Sequence, residues 1–288
     1  MITDREESRA LEALAPGAEL PVYEAFATMP ADPSENKVHE DGVAQALGFR
    51  GALVPGVTVY AWMTHPVVAA LGPAWLERGT FSVRFAKPVY FGERATIRAT
   101  VADRTDETVS IAVRALDAAG ATCATATMAL SPGGPVPAPA GDAYPAAPLP
   151  AERPLVSRDV LAARTVLGTP ELALDDAAAR AFIERVRETL PRYAAGAGSP
   201  AHPGIYLDLA NRALSRNVRV SPWIHVESQG RHLGPARVGE RLEMRAKVAG
   251  LFEKKGNEFV ELDLLLLAEG SRPVASIRHV AIYRPRGA

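Results

Sequence analysis

Two stretches of the chain that alternate apolar and polar residues each follow a run that is apolar on most faces. The first such run is "VTVYAWMTHPVVAAL", directly after Pro55-Gly56. The second is "IYLDLANRALSR", directly after Pro203-Gly204. Both read as helices opened by a Pro-Gly step, where glycine allows close backbone approach. Pro66, deep in the first run, predicts a kink or an end near His65. Strands follow each run. The pattern predicts them over about 80–90, 93–104, 107–117 and 121–130, then over 224–234, 240–252, 257–268 and 272–284. Segments such as "TIRATVADR" and "VELDLLLLAE" mix strict alternation with continuous apolar runs, as a sheet half-covered by a helix would.

The two halves repeat one another. "GERATIRATV" (92–101) and "GERLEMRAKV" (239–248) share six of ten residues at a spacing of 147. Pro88 and Pro235 each stand four residues before the respective glycine. The two Pro-Gly helix starts lie 148 apart. Three collinear matches indicate duplication. Between the halves, residues 131–154 carry eight prolines, which remove amide donors and fix φ, so this stretch joins neither a helix nor a central strand. The expected organisation is therefore 1–130, a linker over 131–154, and 155–288, each half an α+β unit with one central helix and a run of antiparallel strands.

A length of 288 residues suits two domains of about 140. Hydrophobic and charged fractions of 48% and 23% are those of a soluble globular protein. A net charge of −1 argues against nucleic acid as a partner. The acidic N-terminus lacks a signal-peptide core, and no run approaches a membrane span. One cysteine, Cys123, leaves no intrachain disulfide and reads as a buried strand residue rather than a nucleophile. A cytoplasmic location is the expectation. No H-E-x-x-H, C-x-x-C or phosphate loop occurs, so neither a metal nor a tightly held cofactor is expected.

The Pro-Gly helix followed by "FSVRFAKPVYFGERATIRATV" resembles the hot-dog fold of MaoC-like (R)-specific enoyl-CoA hydratases and 3-hydroxyacyl thioester dehydratases. Phe85, Pro88, Val89, Gly92 and Glu93 match the strand-turn-strand signature of that family. Asn36, His39, Asp41, Ala44, Gly48, Phe49, Gly51 and Gly56 match part of its upstream signature. The resemblance covers about 18–130 well, and 155–284 resembles a degenerate second hot-dog. It implies a double hot-dog: two repeats, each a central helix wrapped by an antiparallel sheet. They would form an internal pseudo-dimer with a continuous sheet, which stays monomeric or pairs again as a homodimer. It also implies an acyl-CoA or acyl-carrier-protein substrate. His39 would be the acid–base residue, and the Gly56 amide would hold the thioester carbonyl at a helix N-terminus.

Three positions depart from the pattern. The carboxylate expected five residues before the histidine is Ser34, the proline after Asn36 is Lys37, and the histidine before the helix glycine is Pro55. Serine cannot serve as a carboxylate base, so three readings stand. A neighbouring carboxylate, Glu35, Asp32 or Asp41, replaces it. Alternatively, His39 works alone or with Ser34 and Asn36 in a dehydration, isomerisation or cyclisation. Or the site binds an acyl group without chemistry, as a partner subunit. A thioesterase on the same fold would need a carboxylate that the sequence does not place.

Val59, Tyr60, Trp62 and Met63 read either as core or as the wall of an acyl tunnel. Arg185, Arg187, Arg192 and Tyr193 read either as a solvated helix face or as a patch for the phosphates of the carrier. His65, His202, His225, His232 and His279 read as structural. The position 148 after His39 is Arg187, so the second half lacks an equivalent histidine.

Overall fold

Burial follows the period of two along the strands. Every second side chain of one long strand (Ala95, Ile97, Ala99, Val101) and of its neighbour (Val109, Ile111, Val113, Ala115) faces the interior. The computed structural model describes residues 14–29, 35–105, 108–130, 137–194 and 196–287. The first half comprises β1 (Tyr23–Phe26), α1 (Asp41–Ala46), α2 (Gly56–Arg78), β2 (Gly79–Phe85), β3 (Arg94–Arg104), β4 (Val109–Leu116) and β5 (Thr122–Leu130). The second comprises α3 (Arg158–Ala162), β6 (Val166–Leu167), β7 (Glu171–Ala173), α4 (Asp176–Val186), α5 (Gly204–Ser215), β8 (Ile224–His232), β9 (Arg241–Lys254), β10 (Asn257–Ala268) and β11 (Arg272–Arg284). The eight long strands follow the alternation, except that β2 ends at Phe85 instead of near 90, ahead of Pro88, which cannot donate to a ladder. The short edge strands β1, β6 and β7 carry too few residues for a pattern to declare them.

α2 is buried almost all round, from Val57 to Leu76, because the sheet covers one side and the second half covers the other. It does not end near His65. Pro66 is carried inside the helix, and the break falls at Gly72 (φ 62, ψ −150), directly before Pro73. The residue preceding a proline is pushed out of the α region, and glycine takes the left-handed φ without a side-chain clash.

The strand order is β1-β3-β4-β5-β2-β8-β11-β10-β9-β6, with β7 also on β9. β2 and β8 join the halves, pairing antiparallel from Thr80–Arg231 to Arg84–Glu227. Gln229, the partner of Ser82, lies 147 residues after it, the spacing of the repeated Gly-Glu turns. A pseudo-two-fold axis therefore passes through the Ser82–Gln229 pair, and each half presents the same strand to the other. The sheet is continuous across the axis, and one hydrophobic core runs through both halves. This is two α+β units side by side, as the duplication predicted.

The proline-rich segment lies on the second half where it is described. Tyr144 packs on Leu265 and Leu267, and its hydroxyl donates to Asp263 (2.8 Å). The Thr169 amide donates to the Ala147 carbonyl (2.8 Å), and Arg153 reaches the Ser215 carbonyl (2.8 Å).

The junction is tight. A Cβ built on Gly230 would sit 2.5 Å from Cζ of Phe81 on the facing strand. Gly230→Val is expected to lower stability by about 1–3 kcal/mol through overpacking. Urea unfolding measures this, and an unchanged midpoint would show slack at the junction.

Candidate active site

The segment 35–56 is held by side chains that answer one another. Asn36 opens a single 3-10 turn, Lys37–His39, with its Oδ1 facing the Val38 amide (3.4 Å). α1 follows, and Gly48 closes it at φ 85. Asp41 Oδ1 then accepts from the Ala52 amide (2.7 Å), tying the start of the loop to its end. The Gly51 backbone passes so close to this carboxylate that a Cβ would lie 3.1 Å from it. Ala44 is fully buried beneath. Asp41 is thus engaged in folding the loop. The Leu53 amide donates to the Val38 carbonyl (3.3 Å), and Val54 and Phe91 join this strip to the β2–β3 connection.

His39 is oriented by that loop. Its Nδ1 lies 2.7 Å from the Leu53 carbonyl, which can only accept, so Nδ1 carries the proton. Nε2 is then the bare nitrogen. It faces the Asn36 amide nitrogen at 3.5 Å. The orientation of Asn36 is set by Trp223 of the second half: Nδ2 donates to the Trp223 carbonyl (2.9 Å), and Oδ1 accepts from its amide (3.2 Å). Burial lowers the pKa of His39, partly offset by the Leu53 bond, so the ring is neutral at neutral pH with a lone pair on Nε2. Nε2 is thus able to accept a proton.

His39 borders a cavity of about 230 Å³ between the halves. Gly56 at the α2 start, Val59 one turn on, Phe85, Trp223 and His225 line it with Asn36 and His39. The α2 N-terminus has no side-chain cap, so its first amides are available there. Lining elsewhere is mostly aliphatic. A second cleft of about 600 Å³ opens beside it and shares Asn36, His39, Pro55, Asn211 and Trp223. Its walls carry Lys37, Arg153, Arg185, Arg212 and Arg219 against Glu35 and Asp208. Glu35 is bound by Arg153 (2.9 Å), and Asp208 is shared by Arg185 (3.2 Å) and Arg212 (2.8 Å). The excess charge is positive. An open basic vestibule thus leads to an apolar chamber, with His39 where they meet.

The expected residues fare unevenly. His39, Asn36, Gly56 and Val59 converge on the chamber. Glu35 stands on the vestibule wall, and its Arg153 partner lowers its pKa. Ser34 and Asp32 lie outside the described residues. Tyr60, Trp62 and Met63 do not line the chamber: they are buried in the core, and only the first turn of α2 opens there. Tyr60 packs on Phe81 (5.1 Å between centroids), and Trp62 donates to the Val186 carbonyl (2.8 Å). Tyr193 is buried against His202, 4.7 Å between centroids. Of the arginine patch, Arg185 alone reaches the vestibule. Arg187 ends α4 in the left-handed region (φ 56) and donates to Thr28 (2.9 Å). Periodicity missed Trp223 and His225, because nothing in the sequence pattern reports which residues the second half sends across the axis.

At the pseudo-equivalent helix start, Gly204, side chains fill the space. A Cβ there would lie 2.7 Å from Phe182 and 3.1 Å from His202 Nδ1. His202 instead accepts from the Gly204 amide (3.0 Å), while Nε2 faces Glu188 (3.4 Å). Glu188 also meets His65 Nδ1 (2.7 Å) and the amides of Thr189 and Leu190. These histidines are structural.

No protein-family model and no curated protein matches the sequence. Solved structures do match its fold. A protein described as a MaoC domain dehydratase, from Chloroflexus aurantiacus, superposes with a TM-score of 0.66 at 12% identity, covering 95% of this chain and 97% of that one. A Mycobacterium tuberculosis protein with a double hot-dog fold gives 0.64 at 14% identity over 94% and 97%. A protein described as an oleoyl thioesterase, from Lactobacillus plantarum, gives 0.54 at 11% over 94% and 99%. The chain has the double hot-dog fold.

Burial also depresses the pKa of His225 and His279, and that of His232 to about 4. Each ring is neutral when folded and ordinary, near 6.5, when unfolded. The unfolded chain therefore gains protons first as pH falls. Stability is complete above about 6.5 and declines below it, by up to about 1.4 kcal/mol per pH unit for each such ring. Carboxylates enter only near 4.5, so the window between 6.5 and 4.5 belongs to the histidines. Urea midpoints should drop steadily from pH 7 to 5, and a flat profile would overturn the assignment of neutral rings.

Proposed function

We propose that this double hot-dog protein dehydrates 3-hydroxyacyl thioesters, or hydrates the corresponding enoyl thioesters, with His39 as the single acid–base residue. The observation that carries the reading is the placement of a neutral, Nε2-bare histidine where a basic vestibule meets an apolar chamber. A phosphate-bearing carrier such as coenzyme A or an acyl-carrier-protein prosthetic group suits the vestibule. The acyl group suits the chamber.

The chemistry follows from those positions. Nε2 removes the proton from C2, and charge moves onto the thioester oxygen. That oxygen lies at the uncapped N-terminus of α2, where the Gly56 amide and the helix dipole stabilise it. The C3–O bond then breaks as the double bond forms. The imidazolium returns its proton to the departing hydroxyl, which leaves as water. One residue suffices because the proton taken and the proton given reside on the same nitrogen. Asn36, clamped by Trp223, borders that nitrogen at 3.5 Å. Glu35 is engaged by Arg153 and is not required.

Protein incubated with trans-2-enoyl-CoAs of increasing chain length should consume the enoyl absorbance without releasing free thiol. His39→Ala is expected to lower kcat by about 10²–10⁴. Thiol release in place of hydration, abolished by the same substitution, would transfer His39 to thioester hydrolysis, the activity for which the Lactobacillus neighbour is named. Neither signal from a folded protein would refute the enzyme reading and favour the non-catalytic acyl-binding one.

Arg219→Ala tests the vestibule. It should raise KM up to about fivefold with kcat nearly unchanged, and added salt should shrink the difference. An unchanged KM at low salt would remove Arg219 from carrier binding.

A further inference from the structure

His225 does more than pack. It enters the chamber from the start of β8 and lies against the first residue of α2. A Cβ on Gly56 would be 3.0 Å from its Nδ1 and 3.4 Å from its Cγ. The side chain is more than nine-tenths buried, and Nδ1 has no hydrogen-bond partner. Its other nitrogen, Nε2, lies 2.8 Å from Ser228 Oγ. That hydroxyl lies 2.8 Å from His279 Nδ1, and the two rings stack with centroids 4.1 Å apart. Ser228 and His279 are cross-strand neighbours on β8 and β11 and are fully buried. Such a row is costly to bury, and one end of it points at the place where the thioester oxygen would lie.

We propose that His225 is a second donor to that oxygen, presenting Nδ1–H beside the Gly56 amide, and that Ser228 and His279 are positioning residues that hold it in this tautomer. This rests on the thioester reading above. The hydroxyl has a single proton, so it donates to one ring and accepts from the other. If it donates to His225 Nε2, His225 carries its proton on Nδ1, facing the chamber. His279 then donates from Nδ1 to Ser228 and leaves only a bare Nε2 in the closed interior. The opposite arrangement would bury an unpaired N–H on His279 Nε2. In the free protein each arrangement leaves one buried N–H unpaired, on His225 Nδ1 in the first and on His279 Nε2 in the second. The first arrangement places the one unpaired N–H where a substrate oxygen can receive it.

The site would then hold the oxygen between two donors from different halves of the chain. The first is a backbone amide of α2 and the second an imidazole of β8. No bond is made or broken at His225. It binds the carbonyl and stabilises the negative charge that develops there while His39 moves the proton.

The test reads carbonyl polarisation rather than turnover. 4-Dimethylaminocinnamoyl-CoA is a conjugated thioester whose absorbance moves to the red when donors polarise its carbonyl. Wild-type protein should bind it with a red shift. His225→Phe keeps a ring of similar size without a donor, and it should lose most of the shift and bind about tenfold more weakly. If turnover is present, kcat should fall by about 10²-fold. Ser228→Ala should lose part of the shift by releasing the tautomer, whereas a merely structural role would lower the melting temperature and leave the shift intact. A full shift in folded His225→Phe would overturn the proposal while the thioester reading stands. Absence of binding to the wild type would instead sink the thioester reading, and this inference with it. Should the variants fail to fold, a 15N spectrum of the wild-type histidines with the probe bound gives the tautomer directly. Protonation of His225 at Nε2, rather than Nδ1, would refute the donor role.

Discussion

The pairing of β2 with β8 is the contact on which the rest of the molecule depends. Each strand is the inner edge of its own half, and alone each would expose a row of unpaired amides and carbonyls. Joined antiparallel about the Ser82–Gln229 pair, they fuse two sheets into one and abolish both edges. The register also determines what faces what. It carries Trp223 and His225, at the near end of β8, to the first turn of α2 and to Asn36. A slip of one residue would turn every β8 side chain to the opposite face and dismantle the chamber.

Duplication supplies two equivalent helix starts, and the structure spends them differently. At Gly56 the chain leaves room, and residues from both halves line it. At Gly204 the same room is filled by Phe182 and by His202, which satisfies the helix amide internally. The second start thereby contributes to the stability of the interface instead of to a site. Glu188 anchors that interface by holding His65 of α2 and His202 together, and Trp62 reaches across to the Val186 carbonyl.

A local sequence reading reached a good part of this. Alternation located the eight long strands, the repeat of the Gly-Glu turn located the duplication, and the motif around His39 pointed to the segment that orients it. The break in α2 was legible in kind but misplaced, since Pro66 is tolerated where neighbours cover the helix while Gly72-Pro73 is not. Tyr60, Trp62 and Met63 could not be told from tunnel-lining residues, because a helix that is apolar on most faces does not mark which side meets the core and which a cavity. The short strands β1, β6 and β7 left no trace because two to four residues cannot express a period.

The sequence by itself thus determined the repeated unit, its strands, the apolar helix at its centre and the histidine with its looped neighbours. All of these are written in residues close together along the chain, through period, turn chemistry and spacing. Tertiary structure alone decided which of two equivalent helix starts stays open and which side chains the second half sends across the axis. Those outcomes depend on contacts between residues such as Asn36 and Trp223, or Gly56 and His225, nearly half the chain or more apart. No local pattern encodes such pairs; they arise when two sheets meet in one register around a shared core.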